Sequence, residues 1–148
     1  MGKHMFLEVF NQKQKNLSKN QSEQSLSEID SRKDLGRYGE QLVINYLQDR
    51  GFVILAKNYQ QRFGEIDIIA QKSELVVFVE VKLRNNIYFN NSEIINRAKK
   101  NKIIKTAKYF VATRSIVDKV LRFDVAIVEK YFEEFSINYI ENAFCSGE

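Results

Sequence analysis

A chain of 148 residues suits one compact domain, and eleven Phe and seven Tyr in a 44% apolar composition can fill a single core. Its one cysteine, Cys145, excludes an intrachain disulfide and a zinc cluster, and its one histidine, His4, excludes Ser–His or Cys–His nucleophile pairs in the body of the chain, which leaves hydrolytic chemistry to carboxylates, Lys or Tyr. The formal charge of +4, with a pI near 9.1, is a mild excess of base whose placement matters more than its size.

No apolar run approaches the roughly 20 residues that span a bilayer. Residues 5–10 are too short and interrupted for a secretory segment, so the expected location is cytoplasmic, with no membrane partner. Residues 11–33 are rich in Gln, Asn, Ser, Lys and Glu. Such a stretch buries too little surface to offset its ordering entropy, and residues 1–33 are expected to form a flexible polar leader. The folded domain is expected over 34–144, with a short tail at 145–148.

Asp34 then opens a helix as N-cap, and Gly51 ends it. Leu35, Leu42, Val43, Tyr46 and Leu47 form its apolar stripe, and Glu40 lies at the stripe's border, where its carboxylate can look along the core-facing side. Residues 52–56 read as a strand. Residues 64–70 and 75–82 read as two more, joined by Gln71-Lys72-Ser73-Glu74 in a hairpin that pairs Ala70 with Leu75. A second helix follows over 96–111, then strands at 122–129 and 135–140. This order predicts an α/β fold, with helices covering a mixed central sheet.

In that hairpin register Asp67 lies opposite Phe78, and Ile66, Ile68 and Ala70 share an apolar face with Val77, Val79 and Val81. The other face carries Glu65, Asp67, Glu80 and Lys82 at the end away from the loop. Two carboxylates about 4–5 Å apart repel by roughly 1–4 kcal/mol in partly solvated surroundings, so the grouping calls for a cation. Lys82 can neutralise one charge and Mg²⁺ the other, because Mg²⁺ binds through one or two carboxylates plus waters and phosphate oxygens. Such an ion polarises a phosphodiester and activates water, while Lys82 assists the water or the phosphate. An E-x-K on a strand is ordinarily a solvated ion pair. Asp67 at the same end and face is what makes it a candidate metal site. Glu65 reads as an accessory or structural carboxylate.

The second helix carries Arg97, Lys99, Lys100, Lys102, Lys105 and Lys108 with no acid among them. Ile103, Ile104, Ala107 and Val111 read as its buried stripe, which Lys100 continues toward the helix start. Lys100 is therefore expected to point inward and meet a phosphate, while the other cations track the backbone from the surface. Arg62 and Arg84 flank the hairpin's active end as further phosphate contacts.

Gly64-Glu65-Ile66-Asp67, followed thirteen residues after Asp67 by Glu80-Val81-Lys82, resembles the D…E-x-K motif of the PD-(D/E)xK, restriction-endonuclease-like nucleases. More closely, Gly39-Glu40, Asn58-Tyr59 with Phe63-Gly64-Glu65-Ile66-Asp67, Val77-Phe78-Val79-Glu80-Val81-Lys82 and Arg122-Phe123-Asp124-Val125 resemble the YraN-like family of predicted endonucleases, itself similar to archaeal Holliday-junction resolvases. The ending Ile140-Glu141-Asn142-Ala143-Phe144 is similar too. The resemblance implies a restriction-endonuclease-like fold in which Asp67 and Glu80 hold Mg²⁺ or Mn²⁺, with the Val81 carbonyl as a further ligand. It implies that Lys82 acts on water or phosphate, and that Glu40, the family's additional acid, reaches the site through a metal-bound water.

Lys99, Lys100, Asn101 and Lys102, with Arg62 and Arg84, would then bind nucleic acid, although Lys100-Asn101 replaces the family's frequent Lys-Gln. Phe89-Asn90-Asn91-Ser92 replaces its usual Gly and Pro before the helix. The expected activity is metal-dependent cleavage of DNA, branched or damaged, and symmetric cutting of two strands would need a homodimer. The alternatives are a module of the same fold that binds nucleic acid without cutting, and a protein-interaction domain using Tyr88 and Phe89.

Overall fold

The computed structural model describes residues 32–84, 95–132 and 134–146. The expected leader at 1–33, apart from its last two residues, and the segment holding Tyr88, Phe89, Asn90, Asn91 and Ser92 lie outside the described residues. The chain divides between Leu35 and Gly36, and the body described below is that of Gly36–Glu148.

Helix α1 (Arg32–Gln48) is followed by strands β1 (Val53–Gln61), β2 (Gly64–Lys72) and β3 (Leu75–Arg84), helix α2 (Arg97–Thr113), and strands β4 (Val120–Tyr131) and β5 (Glu134–Phe144). The strands form one sheet in the order β1-β2-β3-β4-β5. Neighbours are antiparallel except β3 and β4, which run parallel. A parallel pair cannot be joined by a hairpin, and α2 occupies that crossover. The result is the expected α/β architecture, a mixed sheet flanked by helices. Among the described residues no helix is long and apolar enough to cross a membrane.

Each helix covers one face of the sheet. Leu42, Val43, Ile44 and Leu47 of α1 pack with Ile68, Ala70, Val77, Val79, Ala126 and Val128. Ile103, Ala107 and Phe110 of α2 pack with Ile66, Ile69, Val76, Phe78, Phe123, Val125 and Ile127 on the other side. The central strands β3 and β4 are thus buried on both faces, as their near-continuous apolar runs require. Gly51, at φ +83°, takes the left-handed conformation that ends α1, and Phe52 N–H donates to Leu47 O at 3.1 Å.

The β2–β3 hairpin differs from the expected register. Strand β2 continues to Lys72, which pairs with Leu75, so the turn is Ser73-Glu74 and Ala70 lies opposite Val77. Lys72 has a reason to stay in the strand: its Nζ donates to Arg50 O at 2.7 Å, beside the end of α1. The change is two residues. Because side chains alternate with a period of two, Ile68, Ala70, Val77 and Val79 still share the α1 face. Ile66 does not join them and packs on the α2 side.

The sheet's outer half is pinned by a buried acid. Asp124 on β4 is 0% exposed, and its two oxygens accept from Arg122 Nε and Nη2, Tyr139 OH and Asn142 N at 2.7–3.1 Å. Burial and the Asp124 carboxylate, which accepts a hydrogen bond from its OH, push the Tyr139 phenol far up. Arg122 also meets Glu141 at 3.3 Å. The Arg122-Phe123-Asp124-Val125 stretch is therefore a structural clamp joining β4 to β5.

Candidate active site

The regular pairing of β2 with β3 ends at Ile68 and Val79. The next pair in that register would be Asp67 with Glu80. Instead, Val81 N–H donates to Asp67 Oδ2 at 2.7 Å, so a carboxylate replaces a main-chain carbonyl as acceptor. On the other side, the β1–β2 register passes from Lys57–Ile68 to Tyr59–Ile66, and Asn58 between them is left-handed at φ +47°. Asn tolerates that conformation better than most residues. The strand alternation breaks here, which is why Ile66 turns to the α2 core.

Glu80 is 3% exposed. Its Oε1 receives two cations, Lys82 Nζ at 2.8 Å and Lys99 Nζ at 3.2 Å. Its Oε2 is buried and, among the described residues, has no hydrogen-bond partner. A buried unpaired carboxylate oxygen is costly, on the order of 1–3 kcal/mol or more. Asp67 sits beside it: burial first, then the Glu80 charge, push the Asp67 carboxyl up to about 7, against the lowering effects of the Val81 hydrogen bond and Lys99. Glu40 of α1 adds a further raising influence. Half-buried Glu40 is itself held in place, because Asn58 Nδ2 donates to its Oε2 at 2.9 Å. A Cβ at Gly39, next to it, would stand 3.5 Å from Leu83 Cδ1 and 3.8 Å from Val128, so this turn of α1 runs close over the sheet.

The cations are arranged differently from the expectation. Lys99, rather than Lys100, reaches the carboxylates, while Lys100 Nζ lies 5.9 Å from the Phe144 ring centroid. Asn96 caps α2 by accepting the Lys99 N–H at 2.9 Å. The buried stripe of the helix runs through Ile103, Thr106, Ala107 and Phe110, and the position one turn before Ile103 is Lys99. Asn101, Lys102 and Lys105 are exposed, as is Arg62 in the β1–β2 turn; Arg84 ends β3, half-buried.

Two residues outside the expected set position the site. Asn58 orients Glu40, and in the sequence it stands out only as part of the Asn58-Tyr59 stretch. Gly64 lets α2 approach: a Cβ there would stand 2.7 Å from Thr106 Oγ1 and 3.0 Å from Lys102 O. A glycine opening a strand is the available sequence signal for such close backbone approach.

The donor set fits a hard divalent cation of the Mg²⁺ kind. Among the described residues no three His, Cys, Asp or Glu side chains gather to hold a metal. Side-chain ligation would come from Asp67 and Glu80 alone, and Mg²⁺ is ordinarily held by one or two carboxylates with water and phosphate completing its shell. The unpartnered Glu80 Oε2 and the mutual repulsion with Asp67 are what a cation would relieve.

Residues 39–128 match the profile of the uncharacterised protein family UPF0102. The chain is 43% identical over 113 residues to a UPF0102 protein of Clostridioides difficile (strain 630), covering 76% of this chain and 97% of that one. A UPF0102 protein of Dictyoglomus thermophilum is 40% identical over 115 residues, covering 76% and 98%. One from Clostridium botulinum (strain 657 / Type Ba4) is 42% identical over 116 residues, covering 76% and 94%. The matched span holds Glu40, Asn58, Gly64, Asp67, Glu80, Lys82 and Lys99 together, and the chain belongs to the UPF0102 family, the YraN-like group.

Proposed function

We propose that this protein is a divalent-metal-dependent nuclease acting on DNA, with Asp67 and Glu80 as metal ligands. The observation that carries the reading is Glu80: a buried carboxylate with one unpartnered oxygen, set beside the half-buried Asp67 carboxylate and two lysines. An isolated structural ion pair would gain nothing from Asp67 at that position.

A bound Mg²⁺ or Mn²⁺ would supply Lewis acidity toward a phosphodiester and lower the pKa of a water. The protein's own groups do the rest. The Val81 N–H fixes the Asp67 carboxylate, and the Val81 carbonyl is the main-chain candidate for a further ligand. Lys82 and Lys99 share Glu80 Oε1, so an arriving phosphate offers them a second anion, and they stabilise its charge. Glu40, held by Asn58, acts through water at the edge of the site. The exposed Arg62, Lys102 and Lys105 hold flanking phosphates, with Arg84, Lys100 and Asn101 as further contacts.

The test is incubation of the purified protein with Mg²⁺ or Mn²⁺ and single-stranded, duplex and branched DNA. Metal-dependent cleavage is expected, reduced about 100-fold or more in Glu80→Gln. Salt-sensitive binding with no cleavage of any substrate would instead support a binding module of the same fold. Absence of binding at low salt would remove both readings.

A further inference from the structure

Helix α2 bears a second feature that the carboxylate site does not use. From Lys99 at the site, the same flank of the helix continues through Lys102 and Lys105 to Tyr109, at spacings of three and four residues. Lys102 and Lys105 are exposed, and Tyr109 is a 44% exposed aromatic. The tip of the β1–β2 hairpin lies against this flank. The Phe63 and Tyr109 rings meet edge to face at 5.6 Å between centroids, and Lys105 Nζ stands 5.1 Å from the Phe63 centroid. Exposed Arg62 precedes Phe63. Gly64 lets the hairpin approach the main chain of Lys102 so closely that a Cβ there would stand 3.0 Å from Lys102 O.

The chemistry of this strip is specific in kind. Cations at helical spacing, on a helix with no acidic residue, suit a polyanion. An exposed aromatic, held by a second ring and standing among those cations, is the combination that binds single-stranded nucleic acid by stacking. Paired bases in a duplex keep their faces covered and cannot use it. The ten helical steps from Lys99 to Tyr109 span about 15 Å, the rise of roughly four nucleotides in a duplex strand.

We infer that the Lys99–Lys102–Lys105–Tyr109 flank of α2, with the Arg62–Phe63 tip, is a track for an unpaired strand leaving the carboxylate site, with Tyr109 stacking a base a few nucleotides from the phosphate at Glu80. The substrate class is therefore nucleic acid with a single-stranded segment beside the cleaved position. This inference rests on the nuclease reading for its direction, but it is tested without cleavage.

Fluorescence anisotropy in EDTA would measure binding of a labelled single-stranded 20-mer, its RNA counterpart, a splayed-arm duplex and a blunt duplex. Tyr109→Ala should weaken the single-stranded and splayed-arm complexes about tenfold and leave the blunt duplex nearly unchanged, while Tyr109→Phe binds as the wild type does. Lys105→Ala should weaken all of them and flatten their salt dependence. A melting temperature for each variant separates lost binding from lost folding. Equal affinities for Tyr109→Ala and wild type would overturn the inference, as would a Tyr109→Phe loss as large as the alanine loss. Either result leaves metal-dependent cleavage standing on its own test. Loss of cleavage with the Tyr109 effect intact would overturn only the nuclease reading, and no binding by wild type would overturn both.

Discussion

Asp67 Oδ2 accepts the main-chain N–H of Val81 at 2.7 Å, and this one bond marks the place where β2 and β3 stop pairing and the site begins. A side chain takes the acceptor role of a ladder carbonyl, β2 and β3 part after Ile68 and Val79, and the gap is filled by carboxylates and lysines instead of backbone. The charge cluster and the broken ladder are the same structural event.

The first consequence is a pH dependence of folding. Asp67 titrates near 7 in the folded protein against 3.8 for the ordinary carboxyl, raised by burial and then by Glu80. The folded state therefore holds this proton more tightly. Its stabilising contribution is complete below about pH 3.8 and is lost as pH rises through 7. Without divalent ions, urea denaturation should report a loss of order 2–4 kcal/mol between pH 4 and pH 8. Asp67→Asn should remove most of it, since the amide oxygen can still accept from Val81. A wild-type profile flat across that range would contradict the assignment.

Asp124 is a residue the fold needs. Removing it strands Arg122, Tyr139 OH and the Asn142 N–H at a buried point. Asp124→Ala should cost about 3 kcal/mol or more in denaturant midpoint analysis. Asp124→Asn should cost less, because it keeps an acceptor.

Gly64→Ala tests the approach of α2. The added methyl would meet Thr106 Oγ1 at 2.7 Å and the main-chain Lys102 O at 3.0 Å, and the latter cannot rotate away. A destabilisation of about 1–3 kcal/mol is expected from thermal melts, and pairing it with Thr106→Ala should recover only part.

Much of this was legible in the sequence, and the parts that were not have physical reasons. The two central faces were readable because Ile68, Ala70, Val77 and Val79 must be buried together, and a register change of two leaves that requirement satisfied. The turn itself is two residues shorter than the sequence suggests: Gln71 and Lys72 look like loop residues, whereas Lys72 is held in the strand by Arg50 O. A stripe of Ile103, Ile104, Ala107 and Val111 would turn Lys100 inward. The buried line passes through polar Thr106 and through Phe110, so the inward cation is Lys99. Ile66 broke its pattern because strand alternation assumes a regular ladder, and Asp67 and left-handed Asn58 interrupt it. Arg122 and Asp124 were visible as a motif, but only the folded sheet shows Tyr139 and Asn142 closing around the acid.

Asn58 separates backbone from side-chain effects at the site. Asn58→Gly keeps access to the left-handed conformation and loses the bond to Glu40, whereas Asn58→Ala adds a backbone cost of about 1 kcal/mol. Thermal melts should therefore place the alanine variant below the glycine variant. In the cleavage assay both should fall together with Glu40→Gln, by about tenfold.

The central claim is that Asp67 and Glu80 hold one divalent cation jointly. Electron paramagnetic resonance titration of Mn²⁺ at pH 8 measures this without reference to any substrate. One site is expected in the wild type, weakened at least about tenfold in Asp67→Asn and again in Glu80→Gln, because each variant removes one of only two carboxylate ligands. Mn²⁺ bound equally well by the wild type and both variants, or bound by none of them, would contradict it.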